Sequence, residues 1–116
     1  MTVAYVVLAI LLSAMLVLSA RGKLTKDEKV VQSLSAANVP LSWYPPLAVV
    51  EIVGAAGLIV GIFVGPLGVA AAIGVSLYFL GAVIAHLRAG DTKGVAAPAP
   101  ILLFAVITLV LRILSL

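Results

Sequence analysis

The sequence predicts an all-α integral membrane protein: a four-transmembrane-helix bundle with a short interfacial helix between helices one and two. Three observations predict it. Hydrophobic residues make up 65% of the 116 positions and charged residues 9%, against roughly 45–50% and about 25% in soluble domains. A chain this short buries only roughly 60% of the surface its unfolded form exposes, so lipid has to cover the rest. The uncharged runs are long enough to cross a hydrocarbon core of roughly 30 Å, which takes about 20 helical residues. The charges fall between the spans, with Glu51 and Arg112 as the exceptions. Backbone groups in lipid must be paired within their own segment, so the runs are helices.

Residues 1–116 read as a single domain with spans at 2–20, 46–64, 67–87 and 98–114. The first span carries no charge. Secretory cleavage after Ala20 is the rival reading, but no basic residue precedes the run and Leu18 would be too large at the −3 position, so a retained helix is expected. The next uncharged run, Ile52 to Ala85, is too long for one crossing. Gly65-Pro66 divides it, because proline breaks a helix and glycine supplies a turn. The fourth span opens on Pro98, which the first turn of a helix tolerates.

The connection between helices one and two is built differently. Thr25-Lys26-Asp27-Glu28 reads as a capping box, with Thr25 at the N-cap and Glu28 three residues on. Val30, Val31, Leu34 and Ala37 then share a face, while Lys26, Lys29 and Ser33 share another. This pattern fits an amphipathic helix on the membrane surface; a solvated loop is the alternative. Asn38 suits a left-handed cap before Val39-Pro40. Trp43-Tyr44 follows at headgroup level, where amphipathic rings concentrate.

Arg21, Lys23, Lys26, Lys29, Arg88 and Lys93 lie in the first and third connections, and only Arg112 sits opposite. That asymmetry predicts cytoplasmic first and third connections, with both termini on the far side. The net charge of +3 therefore belongs to headgroup contacts, and no nucleic-acid partner is expected. Arg112, near the end of helix four, is expected to snorkel to the boundary. With no cysteine in the chain there is no disulfide, thiol relay or thiolate metal site.

Glu51 is the only acid between Glu28 and Asp91, and the same stretch holds the only histidine, His86. A carboxylate in an apolar span is costly unless partnered, so it marks a structural or functional focus. At 1.5 Å per residue Glu51 sits about 7 Å inside the start of helix two. His86 is in the last turn of helix three, and Lys23 closes helix one. Lys23, Glu51, His86 and Arg88 thus share a depth near the cytoplasmic boundary. Glu51 shares a face with Ala55 and Leu58. His86 shares one with Phe79, Ala82 and Val83, and Tyr78 lies about 80° away.

Several segments carry a resemblance. Gly22-Lys23-Leu24, Ala37-Asn38-Val39-Pro40, Glu51-Ile52-Val53-Gly54-Ala55-Ala56-Gly57-Leu58 and the run from Leu77-Tyr78-Phe79 through His86-Leu87-Arg88 to Gly90-Asp91 together resemble the DoxX-like family. Asn38 stands where the family commonly has glycine, a mild departure because asparagine tolerates the left-handed conformation. The resemblance implies a small four-helix protein of the bacterial inner membrane. Its members are associated with thiosulfate:quinone oxidoreduction and with oxidative-stress complexes.

These readings leave alternatives. Glu51 either forms an ion pair with Lys23 or Arg88 that only locks helices together, or handles a ligand or proton. His86 either satisfies helix-end groups or serves a quinone. Tyr78 is most simply a packing residue. A ligand-binding set of Lys23, Glu51, Tyr78, His86 and Arg88 is expected, with a small pocket between helices two and three lined by Glu51, Tyr78 and His86 and a quinone as its candidate cofactor. Gly57, Gly61 and Gly65 form a small-xxx-small repeat, serving either the bundle or a homo-oligomer. No nucleophile with a paired base and no cofactor fingerprint is visible. An accessory or binding subunit of a quinone-linked membrane complex is therefore the expectation. A structural or assembly partner without a ligand is the alternative.

Overall fold

A computed structural model describes residues 2–116. Its helices are α1 (Thr2–Leu24), α2 (Glu28–Ala36), α3 (Tyr44–Val60), α4 (Gly65–Arg88) and α5 (Pro98–Leu114), with single 3-10 turns at Leu41–Trp43 and Lys93–Ala96. Four segments are long and apolar enough to cross a membrane: Thr2–Leu24, Leu41–Val60, Gly65–Arg88 and Lys93–Leu114. Large hydrophobic side chains such as Val3, Val53, Leu77 and Leu103 stand exposed on these helices, as expected of surfaces that face lipid.

The long helices form a ring in which α1 packs most closely on α3 and α4 on α5, with α3–α4 and α1–α5 completing it. Along α1, Tyr5, Ala9, Leu12, Leu16, Ala20 and Lys23 are all buried. Spacings of three and four place them on one face. They meet Ala48, Glu51, Ala55 and Leu58 of α3. Small residues let the backbones approach, and polar side chains tie them: the Tyr5 hydroxyl donates to the Leu58 carbonyl at 2.9 Å, and Ser13 to that of Ala55 at 3.2 Å. With no hydrophobic drive between helices in lipid, such contacts carry much of the specificity.

Local details differ from the sequence reading for identifiable reasons. α1 continues beyond Ala20 to Leu24, with Arg21 and Lys23 in its last turn, where cations offset the helix dipole. Thr25 is consequently no N-cap. Its hydroxyl donates back to the Arg21 carbonyl at 2.9 Å, and Asp27 caps α2 instead, accepting the Lys29 N–H at 2.9 Å. Lys26 (φ 53°) and Asn38 (φ 61°) take left-handed backbone on either side of α2. α3 ends at Val60, and Gly65-Pro66 opens α4 rather than forming the turn, which matches proline's preference for the first helical positions. Gly57 faces Ala71, and a Cβ on Gly61 would run into the Gly68 backbone. The observed contacts of these two glycines are thus inside the bundle. Arg112 does not reach the surface but is buried.

Candidate functional site

Three helices place polar side chains in one buried cluster. Lys23 lies on the inward face of the last turn of α1, one turn beyond Ser19. Glu51 faces inward from the first half of α3, and Tyr78 reaches across from the middle of α4. The Lys23 Nζ stands 2.5 Å from Glu51 Oε1, with both side chains almost fully enclosed. Lys23 also donates to Ser19 Oγ at 2.9 Å. The Tyr78 hydroxyl donates to the same Glu51 Oε1 at 3.2 Å, and the ammonium lies 5.9 Å from the centre of the Tyr78 ring. Two donors therefore converge on one oxygen. The other, Oε2, has no hydrogen-bond partner among the described residues.

The desolvation of two charges offsets much of their attraction, so this pair is better read as fixing register than as raw stability. Glu51 selects Lys23 rather than Arg88 or His86. Arg88 is exposed, and no side-chain hydrogen bond or ion pair ties it to the cluster. His86 is buried in the last turn of α4, but its Nδ1 lies 2.9 Å from Asp91 Oδ2. Asp91 Oδ1 accepts the Gly94 N–H at 3.1 Å, which binds the end of α4 to the following 3-10 turn. A carboxylate on Nδ1 leaves Nε2 as the nitrogen open to other chemistry.

Two cavities flank the cluster. The larger, about 370 Å³, takes its polar lining from Lys23, Ser33, Tyr78 and His86, and its apolar lining includes Leu34, Trp43 and Ile101. α2 and the turn after it form one wall. The smaller, about 270 Å³, lies between α3 and α4 and includes Glu51 and Tyr78 in its lining. The pocket expected to hold Glu51, Tyr78 and His86 together is thus divided: Tyr78 borders both spaces, His86 only the larger, Glu51 only the smaller.

Sequence reasoning missed Ser19, the Asp91 partner of His86 and the α2 wall. It also missed a polar cluster at the far end. There the Arg112 Nε donates to the Gly61 carbonyl at 3.0 Å and Nη1 to Ser115 Oγ at 2.8 Å. The guanidinium sits 5.1 Å from the centre of the Tyr5 ring. A signal existed: Ala105, Thr108 and Arg112 recur at helical spacing and are all buried.

Fold and site together define a small multi-pass membrane protein whose long helices are pinned by polar contacts near both ends. The DoxX-like family model matches residues 7–108, and the chain belongs to that family. No curated protein and no solved structure matches it.

Proposed function

We propose that the protein is an accessory or binding subunit of a quinone-linked complex in a bacterial inner membrane, holding a quinone headgroup in the larger cavity. The observation that carries this is the cavity's chemistry. It is an apolar chamber of about 370 Å³ with Lys23, Tyr78 and His86 in its wall. Ligand sites are characteristically apolar enclosures with a few convergent polar groups. Quinone carbonyls accept hydrogen bonds, and an ammonium or a protonated imidazole donates them. A headgroup there leaves its isoprenoid tail in the hydrocarbon. Asp91 would orient the imidazole of His86, making it a positioning partner of the site. Arg88 has no part in this reading.

The alternative, a structural or assembly partner with no ligand, draws on one observation: Lys23, Glu51 and His86 all have partners within the chain. A soluble quinone analogue separates the two. It should protect the purified protein against thermal unfolding, and His86→Phe should abolish the protection while leaving the bundle folded. No shift in the wild-type protein across the analogue's soluble range would remove the quinone reading and leave the structural one.

The charge asymmetry supports a topology with both termini in the periplasm and α2 at the cytoplasmic surface. The chain has no cysteine, and Ser35 and Leu116 are exposed, so single cysteines there report sidedness. Leu116→Cys should react with a membrane-impermeant maleimide in intact cells, and Ser35→Cys only after the membrane is breached. The reverse pattern would invert the topology.

A further inference from the structure

Two cavities meet at Tyr78, and the proposed quinone site occupies only the larger. The smaller, about 270 Å³, is walled by Val53, Gly57, Ala71 and Gly74, with Glu51 and Tyr78 at one end. Small residues hold it open: a Cβ on Gly74 would meet no atom within 4 Å. Glycines alone would be only a groove. What makes this one chemically distinct is Glu51, whose side chain is fully enclosed. Its Oε1 takes both available donors, while Oε2 is a buried acceptor with none among the described residues. An ionised carboxylate has capacity for about four hydrogen bonds, and leaving a buried acceptor unmet is unfavourable.

The chemistry of the missing donor follows from its surroundings. The cleft walls are apolar apart from Glu51 and Tyr78 and lie among lipid-facing helices, so the donor has to arrive on an apolar carrier. A second cation would be repelled by the Lys23 ammonium, 2.5 Å from the neighbouring oxygen. A neutral hydroxyl meets both conditions. Gly57 lies on the same helix about 9 Å deeper than Glu51, so an amphiphile with its hydroxyl at Glu51 would lay its tail toward the bilayer centre. We infer that the α3–α4 cleft is a second ligand site, taking a long-chain amphiphile whose single neutral hydroxyl donates to Glu51 Oε2. It is a separate space from the larger cavity, which Glu51 does not line, and it does not depend on the quinone reading.

The test is photolabelling of the full chain in lipid nanodiscs with a para-alkylphenol carrying a diazirine in its tail, followed by mapping of labelled peptides. Label should concentrate on the segments around Val53–Gly57 and Ala71–Gly74. Dodecylphenol should compete roughly tenfold or more better than its methyl ether, the difference expected for one hydrogen bond to a charged acceptor. Gly74→Leu fills the cleft at a position with free space and a better helix former. It should strongly reduce labelling while the protein stays folded. His86→Phe, in the other cavity, should leave labelling unchanged. Equal competition by the ether, label spread evenly over the lipid-facing helices, or undiminished labelling in Gly74→Leu would each overturn the inference.

Discussion

The two ends of the bundle use the same ingredients to different effect. At one end Lys23 and Tyr78 converge on a buried carboxylate. At the other Arg112 and Tyr5 meet backbone carbonyls, those of Gly61 and Leu58. A carbonyl at the end of a helix is an orphan acceptor, and a cation there completes the helix and offsets its dipole. The Arg112 end is thereby closed, its named polar groups engaged with the chain. The Glu51 end is not: one oxygen has no partner among the described residues, and cavities open on both sides of Tyr78. A tyrosine and a buried base can be fold machinery or the beginning of a site. The difference lies in what their partners leave unspent.

The largest effect should come from cutting the ion pair in half. Glu51→Leu or Lys23→Leu strands a charge in an enclosed space, a loss of about 3–5 kcal/mol when buried pairs are broken. The double variant should recover part of that loss in thermal unfolding of detergent-solubilised protein, because no lone charge remains. Losses that simply add would show that the pair is uncoupled and would erase the contrast between the ends.

Arg112→Leu should do less harm. It removes a charge-assisted bond to the Gly61 carbonyl, worth about 1.5–3 kcal/mol, but leaves no opposite charge behind. A larger loss than for Glu51→Leu would reverse the ranking. Smallest is Tyr5→Phe, which deletes the bond to the Leu58 carbonyl. Hydrogen bonds between membrane helices average about 0.6 kcal/mol, so its melting temperature should fall by only a few degrees. A shift as large as that of Arg112→Leu would mean that the hydroxyl's bond to the Leu58 carbonyl carries far more than an average bond between membrane helices, because phenylalanine keeps the ring over the guanidinium.

Much of the architecture is written in the apolar runs, because a bilayer admits few alternatives to a helix. Helix ends were less legible. Thr25 and Glu28 fit a capping box locally, but α1 outlasts its apolar run, so Thr25 falls at its end rather than at the start of α2. Glu51 stood out because a lone carboxylate in an apolar span needs a partner. Depth alone did not choose among Lys23, His86 and Arg88; angular phase did. Lys23 continues the buried stripe that begins at Tyr5. Two residues apart on a helix, His86 and Arg88 point about 200° from one another, and only His86 turns inward. The spare Glu51 oxygen and the division of the pocket by Tyr78 depend on side-chain rotamers, which no spacing rule encodes. Arg112 was misjudged because an arginine near a helix end ordinarily snorkels. Here the α3–α4 turn brings a carbonyl within its reach.

The claim that one end binds and the other only braces is tested most directly by the small molecules that accompany the protein out of its own membrane. Purified in mild detergent and extracted for mass spectrometry, the wild-type protein should carry a quinone in near-stoichiometric amount, well above its share of the membrane extract. His86→Phe should lose that quinone, whereas Tyr5→Phe, altered only at the far end, should retain it. A wild-type protein with no quinone beyond the membrane background, or a His86→Phe variant that keeps its full complement, would contradict the account.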